Sequence, residues 1–145
     1  MCTCGAAAKK ERLTFLLPCP PSVNTYYFRG KTGVFVTEKG KEYRQLTQIR
    51  IKVLKMNLNL ESKLRLWVVL DPQDRKKRDA DNILKCLLDS LQSAEVYKDD
   101  SQIVDLRVLK KDFKPGLKTE KGCHVMIETL TDDEFEKICE ECHNF

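Results

Sequence analysis

Between residues 63 and 110 the spacing of apolar side chains changes period twice, which restricts the chain to folds in which helices pack on a sheet. The segment KLRLWVVLD (63–71) alternates. Leu64, Leu66, Val68 and Leu70 fall on one side and Lys63 and Arg65 on the other, as in a strand with one face on a core. Over residues 80–94 the repeat becomes helical, with Ile83, Leu84, Leu87, Leu88 and Leu91 in one stripe. IVDLRVLK (103–110) then returns to a strand.

The flanking segments fit the same architecture. RLTFLL (12–17) reads as a strand running into the stiff PCPPSVN (18–24), and TYYFRGKTGVFV (25–36) as a hairpin with Gly in its turn. CHVMIETL (123–130) is a further strand, after the turn material PGLKTEKG. Thr37 is placed to cap a helix over 38–57, with Tyr43, Leu46, Ile49, Val53 and Met56 as its core stripe and a basic outer face. A last helix starts at Thr131, with acidic residues in its first turn. Trp67 is expected to pack under a helix and His124 to face outward. The expected fold class is α/β or α+β: a single domain with a mixed β-sheet and helices packed on it, which 145 residues without an internal repeat allow. No apolar run approaches the ~18 residues of a membrane span, and the N-terminus lacks signal-peptide order. The expected location is cytoplasmic, with no membrane partner.

Charge is unevenly spread. Residues 1–56 hold eleven Lys/Arg against three Asp/Glu, residues 57–131 fourteen against thirteen, and residues 132–145 one against six. Basic surface in the first third suits phosphates and nucleic acid, although a solvated charged face reads the same way. Seven scattered cysteines without an export signal argue against a disulfide framework, and Cys86 and Cys123 read as small buried hydrophobes. CEECH (139–143) invites a haem or zinc reading. Zinc requires Cys2, Cys4, Cys139 and either Cys142 or His143 to converge; free thiols are the plainer alternative.

The chemistry concentrates in DRKKRDADNILKCLLDSLQSAEVYKDDSQIVD (74–105). Asp81, Lys85 and Asp89 share one polar strip of the helix, Asp79 sits at its start, and KDDSQ brings Asp99 and Asp100 just before the returning strand. The ends of these segments are expected to meet. Carboxylates without His or Cys favour Mg²⁺ or Mn²⁺, ions that activate water and stabilise charge on phosphate. Lys85 is placed to meet developing charge, and Arg75, Lys76, Lys77 and Arg78 to hold a phosphate chain. The bland alternative makes Asp79 a helix cap, Asp81–Lys85–Asp89 surface ion pairs, and KDDSQ an ordinary turn.

Two segments carry a resemblance: PPSVN (20–24) before an aromatic hairpin, and DRKKRDADNILKCLLDSLQ…DDSQIVDLRV (74–108). Together they resemble the RusA family of Holliday-junction resolvases, small DNA endonucleases of bacteria, prophages and phages. The likeness runs from about Leu13 to Thr129. It implies a RusA-like domain over 13–130, between an N-terminal extension (1–12) and an acidic helical tail (131–145) without counterpart. It implies a homodimer making Mg²⁺-dependent paired nicks in branched DNA, in a bacterial or phage-infected cytoplasm. By motif position, Asp79, Asp81 and Asp100 correspond to the metal-site aspartates and Lys85 to the essential lysine. Asp99, Asn82 and Gln102 match supporting positions. Asn24 belongs to a loop that either borders the active site or the dimer contact, or merely bonds nearby backbone. For the dimer contact the apolar hairpin around Tyr26, Tyr27, Phe28, Val34 and Phe35 is the first choice. A non-catalytic branched-DNA-binding accessory and a zinc-stapled interaction protein are the alternatives.

Overall fold

The computed structural model describes residues 9–144. In chain order the elements are β1 (Arg12–Leu17), α1 (Val23–Tyr26), β2 (Tyr27–Gly30), β3 (Gly33–Val36), α2 (Glu38–Val53), β4 (Lys63–Asp71), α3 (Ala80–Ser93), β5 (Ile103–Lys110), β6 (Gly122–Leu130) and α4 (Asp132–Cys142), with a 3-10 turn at Asp100–Gln102. Four strands form one sheet in the order β1-β6-β4-β5, and β2-β3 is a separate hairpin. β6 is antiparallel to both β1 and β4, whereas β4 and β5 are parallel. The sheet is therefore mixed.

Alternation along β4 turns Leu64, Leu66, Val68 and Leu70 to one face, where they meet Ile83, Leu87 and Leu91 of α3 and Ile51 of α2. Leu13, Phe15 and Leu17 of β1 and Cys123, Val125 and Ile127 of β6 complete this core. A second cluster of Tyr26, Tyr43 and Cys86 binds α1, the hairpin and α2 to α3. Cys86 and Cys123 are buried; desolvation pushes their thiols up to about 11 and about 12.

Three local expectations need correction. The hairpin begins at Tyr27, not residue 25, because residues 23–26 coil into α1, where the Tyr26 amide bonds the Ser22 carbonyl (2.9 Å). Tyr26 is consequently fully buried and is no contact surface, while Phe28, Val34 and Phe35 stay exposed. The helix expected over 38–57 ends at Val53, shortly before Lys55 takes a left-handed φ of 55°. Its buried stripe is also shifted: Tyr43 lies inside and Met56 packs against the core as expected, but Gly40, Thr47 and Ile51 join Tyr43 inside while Leu46, Ile49 and Val53 are exposed. Both stripes satisfy a helical repeat, and close packing selects between them. A Cβ on Gly40 would stand 2.6 Å from the Tyr26 carbonyl oxygen, and Thr47 hides its hydroxyl on the Tyr43 carbonyl (2.9 Å). Trp67, finally, is not under a helix. The β4 leucines occupy the covered face, so Trp67 points to the other, between the guanidinium groups of Arg65 and Arg107 (5.8 and 4.7 Å from its centroid).

Candidate active site

The seven aspartates of residues 74–105 divide into two groups. Four are engaged. Asp74 accepts from the Arg78 guanidinium (2.6 Å), which with the Lys76 amide lowers its carboxyl to about 2. Asp89 accepts from the Tyr27 hydroxyl and lies 3.4 Å from Lys85 Nζ. Asp99 caps the 3-10 turn through the Ser101 amide (2.8 Å), and Asp105 bonds Arg65 (2.7 Å). The other three, Asp79, Asp81 and Asp100, are exposed, and among the described residues none forms an ion pair. Asp79 occupies the N-cap position of α3 but accepts no capping hydrogen bond, so the simple cap reading fails.

The polar strip of α3 is as expected, with Lys85 one turn from Asp81 and Asp89 one turn further. The supporting residues separate by role. Gln102 is a clamp: its Nε2 donates to the carbonyls of Leu60 (2.8 Å) and Ser62 (2.9 Å), and its Oε1 accepts from the Asp99 amide (2.8 Å). Asp99 and Gln102 thereby form a capping box that presents Asp100 outward. The Asp100 amide is bonded to Gln92 Oε1 (3.1 Å). Asn82 is half-buried in the first turn of α3, and Asn24 is exposed on α1.

The expectation that the acidic segments meet is not fulfilled within one chain. Because β4 and β5 are parallel, α3 runs back between them. It begins at the end of β4, with Asp79 and Asp81, and finishes at the start of β5, with Asp100. From Asp81 to Gln92 the helix rises about 16 Å. Two oxygens bound to one Mg²⁺ sit at most about 4 Å apart, since each lies ~2.1 Å from the ion. Among the described residues no group of three or more His, Cys, Asp or Glu is placed to hold a metal. Within the described residues, one chain does not bring these three carboxylates to a single cation.

The basic loop also needs amending. Arg75, Lys76 and Lys77 are exposed, but Arg78 is neutralised by Asp74. Lys110 Nζ donates to the Arg78 carbonyl (2.9 Å), and Lys110 and Lys111 join residues 74–78 in lining one cleft. Lys121 and Lys111 lie 3.0 and 3.5 Å from the buried Asp71 carboxylate at the end of β4. Lys110 and Lys111 are far from the RKKR run in sequence, and the pairing of β5 with β4 brings them to it. Tyr27, expected in the apolar contact surface, instead sends its hydroxyl to Asp89 on α3, 62 residues on. Of the zinc reading, Cys2 and Cys4 lie outside the described residues; Cys139 and Cys142 are on α4, with His143 Nδ1 2.6 Å from the Cys139 carbonyl oxygen.

Comparison with known proteins adds a second line of observation. The family described as endodeoxyribonuclease RusA matches residues 18–128. A crossover junction endodeoxyribonuclease of Enterobacteria phage HK97 is 44% identical over 102 residues, covering 70% of this chain and 85% of the relative. The proteins of the same name from Escherichia coli K12 and Enterobacteria phage 82 are 34% and 33% identical over 100 residues, each covering 69% of this chain and 83% of the relative.

Proposed function

Because this chain belongs to the RusA family of endodeoxyribonucleases, we propose that it resolves Holliday junctions by paired symmetric nicks, as a homodimer that uses Mg²⁺ or Mn²⁺. Its setting is recombination and repair in the cytoplasm of a bacterium or a phage-infected host. The carrying observation is the set of exposed aspartates that have no cationic partner among the described residues, Asp79, Asp81 and Asp100, in a segment whose other aspartates are all engaged. A protein that only bound DNA would gain nothing from bare carboxylates facing phosphate, which they repel unless a cation lies between.

Their separation along α3 argues for two chains. Asp79 and Asp81 of one protomer and the partner's Asp100 would make the ligand set. The open edge of the sheet offers the seat. Among the described residues β5 has a neighbouring strand on one side only, Leu106 and Leu109 are exposed, and Leu84, Leu88 and Val108 are only partly covered. An eight-residue edge strand presents a row of unpaired backbone groups that favours pairing with another strand. Two-fold pairing of β5 with its copy is antiparallel, so the start of one β5, beside Asp100, faces the end of the other, where Lys110 holds the Arg78 carbonyl next to Asp79. This edge replaces the hairpin as the proposed contact, because it unites the two ends of α3. Two symmetric sites per dimer follow.

Held by Asp79 and Asp81 of one protomer and the partner's Asp100, a divalent cation would supply an activated water and polarise the phosphoryl oxygen. Lys85 donates to a phosphoryl oxygen as charge develops. Arg75, Lys76 and Lys77 hold adjoining phosphates, with Lys111 beside them.

Mixed dimers test this arrangement. Asp81→Asn and Asp100→Asn homodimers should each bind a synthetic four-way junction without cutting it. After subunit exchange, a mixed dimer carries both lesions in one site and none in the other, so cutting of one strand returns, and EDTA stops it. No recovery despite verified exchange refutes the two-chain site. Full cleavage by either homodimer removes that aspartate from the site.

A further inference from the structure

Lys85 is held from two sides. Its Nζ lies 3.4 Å from Asp89 Oδ2 and 5.7 Å from the centroid of the Tyr27 ring. The Tyr27 hydroxyl donates to the same Asp89 Oδ2. The three side chains thus close a triangle in which Asp89 cannot turn away without breaking a hydrogen bond. Beneath it the support is firm: Tyr27 packs 4.6 Å from the ring of the fully buried Tyr26. The Tyr26 hydroxyl lies 3.0 Å from Ser90 Oγ and accepts from Arg44 Nε at 3.1 Å. Burial, reinforced by Asp89, pushes the Tyr27 hydroxyl far above its ordinary range, so it remains a donor at any working pH.

Helix stability does not account for this arrangement. A basic residue placed N-terminal to its acid at i,i+4 is the weaker orientation of such pairs. What the triangle does is limit the rotamers of a long, flexible side chain that otherwise samples many. We infer that Tyr27 and Asp89 are positioning residues that hold the Lys85 ammonium toward the scissile phosphate. The inference rests on the role given to Lys85 above. Neither residue touches DNA in this reading; both act through Lys85, and a displacement of the order of 1 Å at a reacting group is costly to rate.

The test uses full-length Tyr27→Phe, Asp89→Asn, their double variant and Lys85→Gln. Single-turnover cleavage of a four-way junction is measured with Mg²⁺ and junction affinity with EDTA, well below each thermal midpoint. In parallel, the order of the Lys85 ε-carbon is read by NMR relaxation on protein with ¹³C-labelled lysine. Tyr27→Phe and Asp89→Asn should each slow cleavage about 10-fold with unchanged junction affinity. The double variant should be no slower than the poorer single variant, and the Lys85 ε-carbon should become more mobile while other lysines do not. Cleavage at the native rate in both single variants, losses that multiply in the double, or an unchanged Lys85 signal would overturn the brace. Tyr27→Phe keeps the packing of the ring, so it decides the matter if Asp89→Asn fails to fold. If Lys85→Gln cleaves normally, the assigned role of Lys85 falls and the brace with it. If Lys85→Gln is inactive while the brace variants are normal, only the brace falls.

Discussion

Replacing Gln102 by Ala separates two roles that its motif leaves open, a contact to DNA and a clamp on the turn that presents Asp100. The side chain makes three hydrogen bonds: Nε2 donates to the Leu60 and Ser62 carbonyls at 2.8 and 2.9 Å, and Oε1 accepts from the Asp99 amide at 2.8 Å. At roughly 0.5–1.5 kcal/mol net for each bond, and with the residue half-buried, the loss should total about 2–3 kcal/mol. For a domain of this size that lowers the thermal midpoint by about 5–10 °C. Urea unfolding should show a lower midpoint with an unchanged slope, since the native core is untouched. Cleavage should fall more than junction affinity, because the turn that orders Asp100 loosens while the basic loop stays in place. Gln102→Glu should be worse than Gln102→Ala, since it sets a carboxylate against two carbonyl oxygens. A Gln102→Ala protein with native stability and lost junction affinity would refute the clamp and return Gln102 to the DNA.

Other consequences are equally open to measurement. Leu87→Ala removes a fully buried side chain from the face of α3 that meets β4 and should cost about 2–5 kcal/mol, read by urea titration. Lys76→Ala with Lys77→Ala should weaken binding to all junction sequences alike and reduce the slope of log affinity against log salt by about 2; a loss confined to one sequence would contradict a phosphate role. Alkylation of the native protein at neutral pH, followed by peptide mapping, should label the exposed Cys142 and spare Cys86 and Cys123. Those two thiols are buried and raised to about 11 and about 12, so they are nearly all neutral at pH 7 and should react only on unfolding.

The sequence alone disclosed what depends on near neighbours along the chain. Alternation in residues 63–71 and the leucine repeat of 80–94 follow from backbone geometry, so β4 and α3 emerge where the pattern places them. The strip Asp81–Lys85–Asp89 is a matter of helical phase. The motifs RDADN and DDSQ mark the three aspartates that have no cationic partner among the described residues.

Tertiary structure decided whatever depends on which surfaces meet. On α2 the spacing of Leu46, Ile49 and Val53 and that of Tyr43, Thr47 and Ile51 both satisfy a helical repeat, and the seating of Gly40 on Tyr26 turns the second set inward. Arg78 read as a free cation until the loop folded it onto Asp74. Tyr27 met Asp89, and Lys110 met the Arg78 carbonyl, through packing across 62 and 32 residues. Most consequential is the parallel pairing of β4 with β5, which sends α3 back along the sheet and parts Asp79 and Asp81 from Asp100 by nearly a helix length. Residue pattern determines phase and periodicity because these are set by local dihedrals and spacing. Strand direction and side-chain partnership are set by the free energy of burying one face against another, which no local pattern encodes.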